Sequence, residues 1–155
     1  METGLRMLFL MVLWFLTEVI FIKRFLYKKS SLEQVTTMKS IKNRTRKTIL
    51  SSDYRLCRSV GAKAWGLMFS NEKKVKRHAL IFEFGRPMQQ SLHMFFVFYP
   101  IDLVFLDEKR KIIDMKQNFR PFTTYYSSKM SKYVIELPQK TIDKSKTKTG
   151  DMLEW

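Results

Sequence analysis

Cysteine, histidine, glycine and proline are all scarce in this chain of 155 residues. A single cysteine, Cys57, excludes an internal disulfide framework. Five glycines and four prolines exclude a collagen-like or linker-like chain. Two histidines and one thiol do not form a cluster with the three or four ligands that a zinc site needs, so we expect no metal and no cofactor.

Acidic residues are also few, with 14 Asp and Glu against 29 Lys and Arg, and the formal net charge is +15. The hydrophobic fraction of 45% is nevertheless that of a globular protein, which excludes a wholly disordered chain. The length allows one domain and a short extension. The charge predicts partners of opposite sign, such as anionic lipid or nucleic acid.

One long apolar run, Met7–Ile22, lies near the N-terminus and is interrupted only by Thr17 and Glu18. As a helix these residues reach about 24 Å, and continuing to Tyr27 gives enough length for a hydrocarbon core of about 30 Å. No small-residue cleavage site follows the run, as a secretion signal would require. The sequence therefore predicts an uncleaved single-pass transmembrane anchor over residues 1–27.

Residues 28–50 are predicted to be a basic tether, since they contain seven bases against Glu33. This excess directly after the span favours a cell-membrane protein whose C-terminal domain faces the cytoplasm. The tether would also contact anionic headgroups. The triplet Asn43-Arg44-Thr45 is a glycosylation acceptor that would matter only on the outer side, so modification of Asn43 stays open, and we give the charges more weight.

From residue 51 the pattern changes to short apolar runs separated by turn residues, and residues 51–155 are predicted to form an all-β sandwich or barrel. Gly85-Arg86-Pro87 is predicted to be a turn, and Ser59–Phe69 is the only predicted helix. The six predicted strands are Tyr54–Arg58, Ala79–Phe84, Leu92–Val97, Asp102–Leu106, Lys111–Met115 and Lys132–Leu137.

Several motifs in this region resemble the family called domain of unknown function 192, in matching order and spacing over about residues 54–153. They are Gly66–Phe69, Ala79–Phe84, His93–Asp107, Asn118–Pro121, Tyr133–Pro138 and Gly150-Asp151. The sequence His-Met-Phe-Phe-Val at His93–Val97 is similar to the archaeal branch. The resemblance implies a jelly-roll-like β-sandwich with one short helix that carries the Gly-Leu-Met motif, and it implies no particular activity.

The sequence departs from the family pattern at two places, and the resemblance conflicts with the predicted orientation in the membrane. Phe95 and Phe96 replace the Lys and Asn of many members, so a polar site built on that pair is absent. Lys140 replaces a glycine, which puts a left-handed backbone position there in question. Many members are exported, which disagrees with the cytoplasmic orientation that the charges favour.

The best candidate for a binding site is a patch on which the loops of this domain could converge. Asp102 lies between two apolar residues and must be paired if it is buried, so it is either a structural anchor, which we favour, or the centre of a polar pocket. His93 is the histidine closest to it in sequence. The predicted patch consists of Gly66, Met68, His93, Asp102, Asn118 and Pro121.

Three functions remain open. The preferred one is a non-catalytic module at the membrane that binds a protein or a small ligand. The second is a hydrolase-like enzyme using His93 with Asp102 or Glu136, although no nucleophile motif supports it. The third is nucleic-acid binding through Lys73–Arg77 and Lys140–Lys148, which we disfavour because anionic lipid accounts for the same charge.

Overall fold

Strands contain most of the residues that the computed structural model describes, which are 40–58, 67, 72 and 78–155. The elements are β1 (Ile41–Asn43), β2 (Thr48–Ser51), β3 (Tyr54–Cys57), β4 (Ala79–His93), β5 (Ile101–Leu106), β6 (Ile112–Phe119), β7 (Thr124–Pro138), α1 (Thr141–Ser145) and β8 (Leu153–Glu154). A small sheet has the strand order β2-β1-β8, and a large sheet has the order β3-β4-β7-β5-β6. One helix, α1, lies wholly within the described residues.

The predicted mostly β architecture is therefore confirmed, whereas the short helix α1 was not predicted. The predicted helix Ser59–Phe69 lies outside the described residues apart from Leu67. Within the part of the chain that the structure describes, no helix has the length and hydropathy to cross a membrane. The predicted anchor over residues 1–27 and the tether up to residue 39 lie outside this part.

The large sheet is buried on both faces around β5, of which all six residues are buried. Side chains alternate along a strand, so Leu103 and Phe105 enter one core while Val104 and Leu106 enter another. The first core also holds Met94, Val97 and Tyr99 from the loop after β4. The second core lies against the small sheet and α1, and it includes Ile41, Leu50, Ile142 and Leu153.

The predicted turn at Gly85-Arg86-Pro87 is wrong, because β4 continues through it to His93. The pairing of β4 with β7 shifts register between Glu83 and Met88, so these residues form an irregular stretch inside the strand. Proline and glycine are tolerated at such a bulge, where a regular ladder bond is not required. The predicted strand Leu92–Val97 is also wrong beyond His93, because Phe96 has a φ of 60° and the chain turns there.

Strand β7 is bent over the first core. Val134, late in β7, pairs directly with Phe105 of β5. Tyr125, near the start of the same strand, also reaches Phe105, with 5.6 Å between ring centroids. Its hydroxyl donates to Asp114 Oδ2 of β6 at 3.0 Å. The start of β7, together with the end of β4 that pairs with it, thus folds back over the face of the large sheet on which Phe105 lies.

The last part of the predicted tether belongs to the folded domain. Residues 41–51 form β1 and β2, joined by a loop in which Lys47 has a φ of 56°. Ile41 and Leu50 are buried in the second core, which explains why these residues fold despite the charges around them. The predicted tether over residues 28–50 is therefore wrong from residue 41 onward, where the first strand of the folded domain begins.

Candidate functional site

Asp102 is 1% exposed, and both of its carboxylate oxygens accept bonds from backbone amides. Oδ1 accepts from Asn118 N, and Oδ2 accepts from Ile142 N, each at 3.0 Å. The carboxylate therefore holds the end of β6 and the start of α1 against β5. Two charge-assisted bonds satisfy a buried carboxylate and leave it in the position of a structural anchor.

Of the predicted patch, the structure joins Asp102 to Asn118 and places His93 beside the loop that contains Pro121. Asn118 has a φ of 50°, and its Oδ1 accepts from Gln139 Nε2 at 2.8 Å. His93 pairs with Thr124 across the β4–β7 ladder. Gly66 and Met68 lie outside the described residues.

An exposed aromatic patch, formed by Phe95, Phe98 and Phe122, lies on the loop after β4 and the loop before β7. These side chains are 45%, 64% and 58% exposed, and the rings of Phe98 and Phe122 meet edge to face at 5.7 Å. The ring of Phe95 stacks on His93 at 5.0 Å. Exposed apolar side chains grouped on adjoining loops are of the kind that marks an interaction site.

Backbone contacts join the two loops and hold the aromatic patch outward. Met94 N donates to Thr123 O at 2.9 Å, and Phe122 N donates to Met94 O at 3.1 Å. Phe122 has a φ of 58°. A left-handed residue other than glycine costs about 1–2 kcal/mol, so the fold holds this conformation at an energetic cost.

Sequence reasoning missed the aromatic patch because it assigned Leu92–Val97 to a strand. A signal was nevertheless present. Phe95, Phe96 and Phe98 do not follow the alternation of a one-sided strand, and Pro100 follows closely.

Glu136 lies in β7 between Leu80 of β4 and Leu103 of β5. Its Oε2 is inaccessible to solvent and has no hydrogen-bond partner among the described residues. Burial raises the pKa of Glu136 to about 8, although the positive charge of Arg55 acts in the opposite direction. The carboxyl group therefore keeps its proton at neutral pH.

The geometry does not support the pairing that a hydrolase would need. No hydrogen bond or ion pair joins His93 to Asp102 or Glu136 within the described ranges, and Asp102 has both oxygens engaged by amides. Across residues 40–58, 67, 72 and 78–155, no group of three or more His, Cys, Asp or Glu side chains could hold a metal.

A buried polar network ties the small sheet to the C-terminal segment. Asn43 is 0% exposed, and its Nδ2 donates to Asp151 Oδ2 at 2.9 Å and to Thr147 Oγ1 at 3.1 Å. Arg46 Nε lies 3.1 Å from the same oxygen of Asp151. The amide nitrogen that a glycan would occupy is thus enclosed in the folded domain.

These elements define a small, mostly β domain of two sheets and a short helix, with an exposed aromatic patch on its loops. The chain belongs to the DUF192 family, described as "Uncharacterized ACR, COG1430", whose model matches residues 41–155. The family resemblance that the motifs predicted is thereby confirmed.

Curated relatives of this chain are archaeal UPF0127 proteins. One from Thermococcus sibiricus is 38% identical over 68 residues, which are 44% of this chain and 44% of that protein. Another from Pyrococcus abyssi is 36% identical over 95 residues, covering 60% of this chain and 77% of that protein. The chain thus spans less than half of the first of these relatives.

Two solved structures share the fold. A protein of unknown function from Novosphingobium aromaticivorans has a TM-score of 0.65 and 22% identity, covering 75% of this chain and 82% of its own. A Sinorhizobium meliloti protein, described as a candidate transcription regulator, has a TM-score of 0.66 and 23% identity, covering 74% and 89%. At these identities the likeness shows the fold alone.

Proposed function

We propose that this chain is a single-pass membrane protein whose β domain is a non-catalytic module that binds a protein or a small ligand through the aromatic patch. The domain is a jelly-roll-like sandwich in this proposal, since the bent β7 closes the large sheet over the first core. His93 and Pro121 border the binding surface, and Asp102 with Asn118 holds the loop ends in place.

Exposure of three phenylalanines on two bonded loops is the observation that carries the proposal. Their side chains are between 45% and 64% exposed, so each has still to gain roughly half of the about 1.5–3 kcal/mol that full burial of a large apolar side chain gives. Aromatic anchors of this kind dominate the energy of protein interfaces. A partner that covers Phe98 and Phe122 together would recover this free energy.

The membrane part of the proposal rests on the run Met7–Ile22 and on the bases that follow it. Protease treatment of intact cells tests the side on which the domain lies. We expect the domain to resist cleavage in intact cells and to be cut after lysis, as for a cytoplasmic domain. Cleavage in intact cells would place the domain outside, and release of the full chain into the aqueous fraction would contradict anchoring.

Photocrosslinking tests the binding surface. A benzoylphenylalanine residue replaces Phe98 in the full chain and, as the matched control, replaces Met130, which is 67% exposed on β7. In membranes of cells that produce the protein, we expect an adduct from position 98 only, seen as a larger band on a gel for a protein partner or as a peptide of increased mass for a small ligand, and Phe122→Ser should weaken it. Equal adducts from both positions, or none from position 98, would contradict the proposal.

A further inference from the structure

The outer face of the small sheet presents a row of three exposed side chains. Lys42 of β1 pairs directly with Ile49 of β2 and with Glu154 of β8, so the three lie side by side on one face. All three are exposed, and Ile49 is 63% exposed. Their neighbours Asn43 and Leu50 are buried, as the alternation of strand side chains requires.

Cations surround this row. Arg44 and Lys47, from the loop between β1 and β2, join Lys42 around a shallow groove of about 350 Å³. The carboxylate there belongs to Glu154, whose Oε2 is 3.6 Å from Arg44 Nε. Three cations against one carboxylate leave the groove positive. The groove is lined by Lys42, Asn43, Arg44, Lys47, Thr48, Ile49 and Glu154.

We propose that this face of the small sheet, the basic face, docks on the surface of an anionic lipid bilayer. The inference deepens the proposed function and rests on its membrane anchoring. Lys42, Arg44 and Lys47 contact headgroup phosphates, while Ile49 enters the interface between headgroups and acyl chains.

The composition of the basic face favours a bilayer over a nucleic acid. Both partners attract the cations, but only a bilayer offers apolar surroundings to Ile49. A nucleic acid would gain from stacking on aromatic side chains, and the residues that line the groove include no aromatic ring.

Docking in this way leaves the aromatic patch in water. The small sheet packs on the second core, whereas Met94 and Val97 of the patch loop pack in the first core. The large sheet separates these two cores, since β5 alternates between them. The basic face and the aromatic patch therefore lie on opposite sides of the large sheet.

An environment-sensitive label tests the docking. Ile49→Cys and, as control, Met130→Cys are labelled briefly with a nitrobenzoxadiazole dye in the full chain, where Cys57 is buried and therefore labels far more slowly. The protein is reconstituted in vesicles of phosphatidylcholine alone or mixed with phosphatidylglycerol. We expect a blue shift at position 49, and none at position 130, when phosphatidylglycerol is present. Identical spectra at position 49 in both lipids would overturn the inference.

Charge variants test whether the basic face itself causes the docking. Lys42→Gln, Arg44→Gln and Lys47→Gln together should lower the ratio of docked to undocked domain roughly 100-fold, at about fivefold per base. The matched control removes three exposed charges elsewhere, at Lys109, Arg120 and Lys129. The inference is overturned if the control triple variant abolishes the blue shift equally.

Two further measurements separate the possible failures. If the full chain does not float with phosphatidylcholine vesicles, the anchoring proposal fails. If it floats but position 49 reports no anionic lipid, anchoring survives and the docking inference fails. A shift at position 49 caused by duplex DNA, but not by phosphatidylglycerol, would assign the basic face to nucleic acid and overturn the inference.

Discussion

Lys140, two residues after the end of β7, is the N-cap of α1 and lies in the left-handed region, with φ of 66° and ψ of 9°. The family resemblance predicts a glycine here, so the sequence left open whether the left-handed turn survives its replacement. The turn is retained, because Asp102 fixes the next helix from the other side. The lysine therefore holds a conformation that a glycine adopts without strain.

Lys140→Gly should raise the free energy of unfolding by about 0.5–1 kcal/mol, since the relief of left-handed strain exceeds the added freedom of the unfolded chain. Urea denaturation of both proteins measures the change. Lys144→Gly, inside α1, is the matched control and should lower stability by about 1 kcal/mol. If both substitutions changed the free energy of unfolding in the same direction, the explanation would be contradicted.

Glu136 should make stability fall as the pH rises. Burial raises its folded pKa from the ordinary 4.5 to about 8. The unfolded chain therefore releases this proton at lower pH than the folded chain does, and stability is lost between those two values. Glu136→Gln cannot ionise, so its melting temperature should exceed that of the wild type most at pH 8 and least near pH 4. A constant difference at every pH would contradict this assignment.

At the scale of elements, the small sheet depends on Asp151. Burial alone would raise the pKa of Asp151, but hydrogen bonds from Asn43, Lys148 N and Arg46, together with the charge of Arg46, hold it below its usual value. A lowered pKa contributes stability above the unfolded value, and this contribution is lost as the pH falls through the folded value.

Asp151→Asn should therefore destabilise the domain at pH 7 and should flatten the acid limb of its stability curve. Hydrogen exchange should show the loss mainly in β1 and β2, which the network ties to the C-terminal segment. Glu154→Gln is the control, because its side chain is 47% exposed and its pair with Arg44 contributes little. Equal loss of protection in β1 and β5 would argue against a local role for Asp151.

Elements that a local run of apolar residues marks could be predicted from the sequence. Elements that depend on contacts with distant parts of the chain could not. β5 and β6 were predicted because the apolar runs Asp102–Leu106 and Lys111–Met115 are separated by polar residues. β1 and β2 were missed because Ile41 and Leu50 are their only buried apolar residues and stand among many cations. α1 has five residues and gains its stability from Ile142 and from Asp102, neither of which local propensity reveals.

The same distinction applies to the candidate site. Asp102 could be singled out because a carboxylate in an apolar strand must be paired, and the structure supplies the pairs. The aromatic patch could not be predicted, since its exposure depends on the turn at Phe96 and on contacts with the loop of Phe122.

At the scale of the whole molecule, the loop after β4 contributes both to the first core, through Met94, and to the exposed aromatic patch, through Phe98. Phe98→Ser should leave the free energy of unfolding within about 0.5 kcal/mol of the wild type, because the side chain is 64% exposed. Met94→Ala, four residues earlier and 1% exposed, should lower it by about 2–5 kcal/mol. Thermal unfolding of both variants measures the contrast. Comparable losses would show that Phe98 belongs to the core.

The large sheet ends in a parallel pair, in which β3 runs beside β4 and carries Cys57, 0% exposed, at its last position. An alkylating reagent can reach this thiol only when the edge strand detaches, because a buried thiol is inert. The rate of alkylation under native conditions therefore measures how often β3 opens locally. The ratio of this rate to the rate in urea gives the free energy of that opening. Cys57 is thus a built-in probe of how often this strand detaches from the sheet.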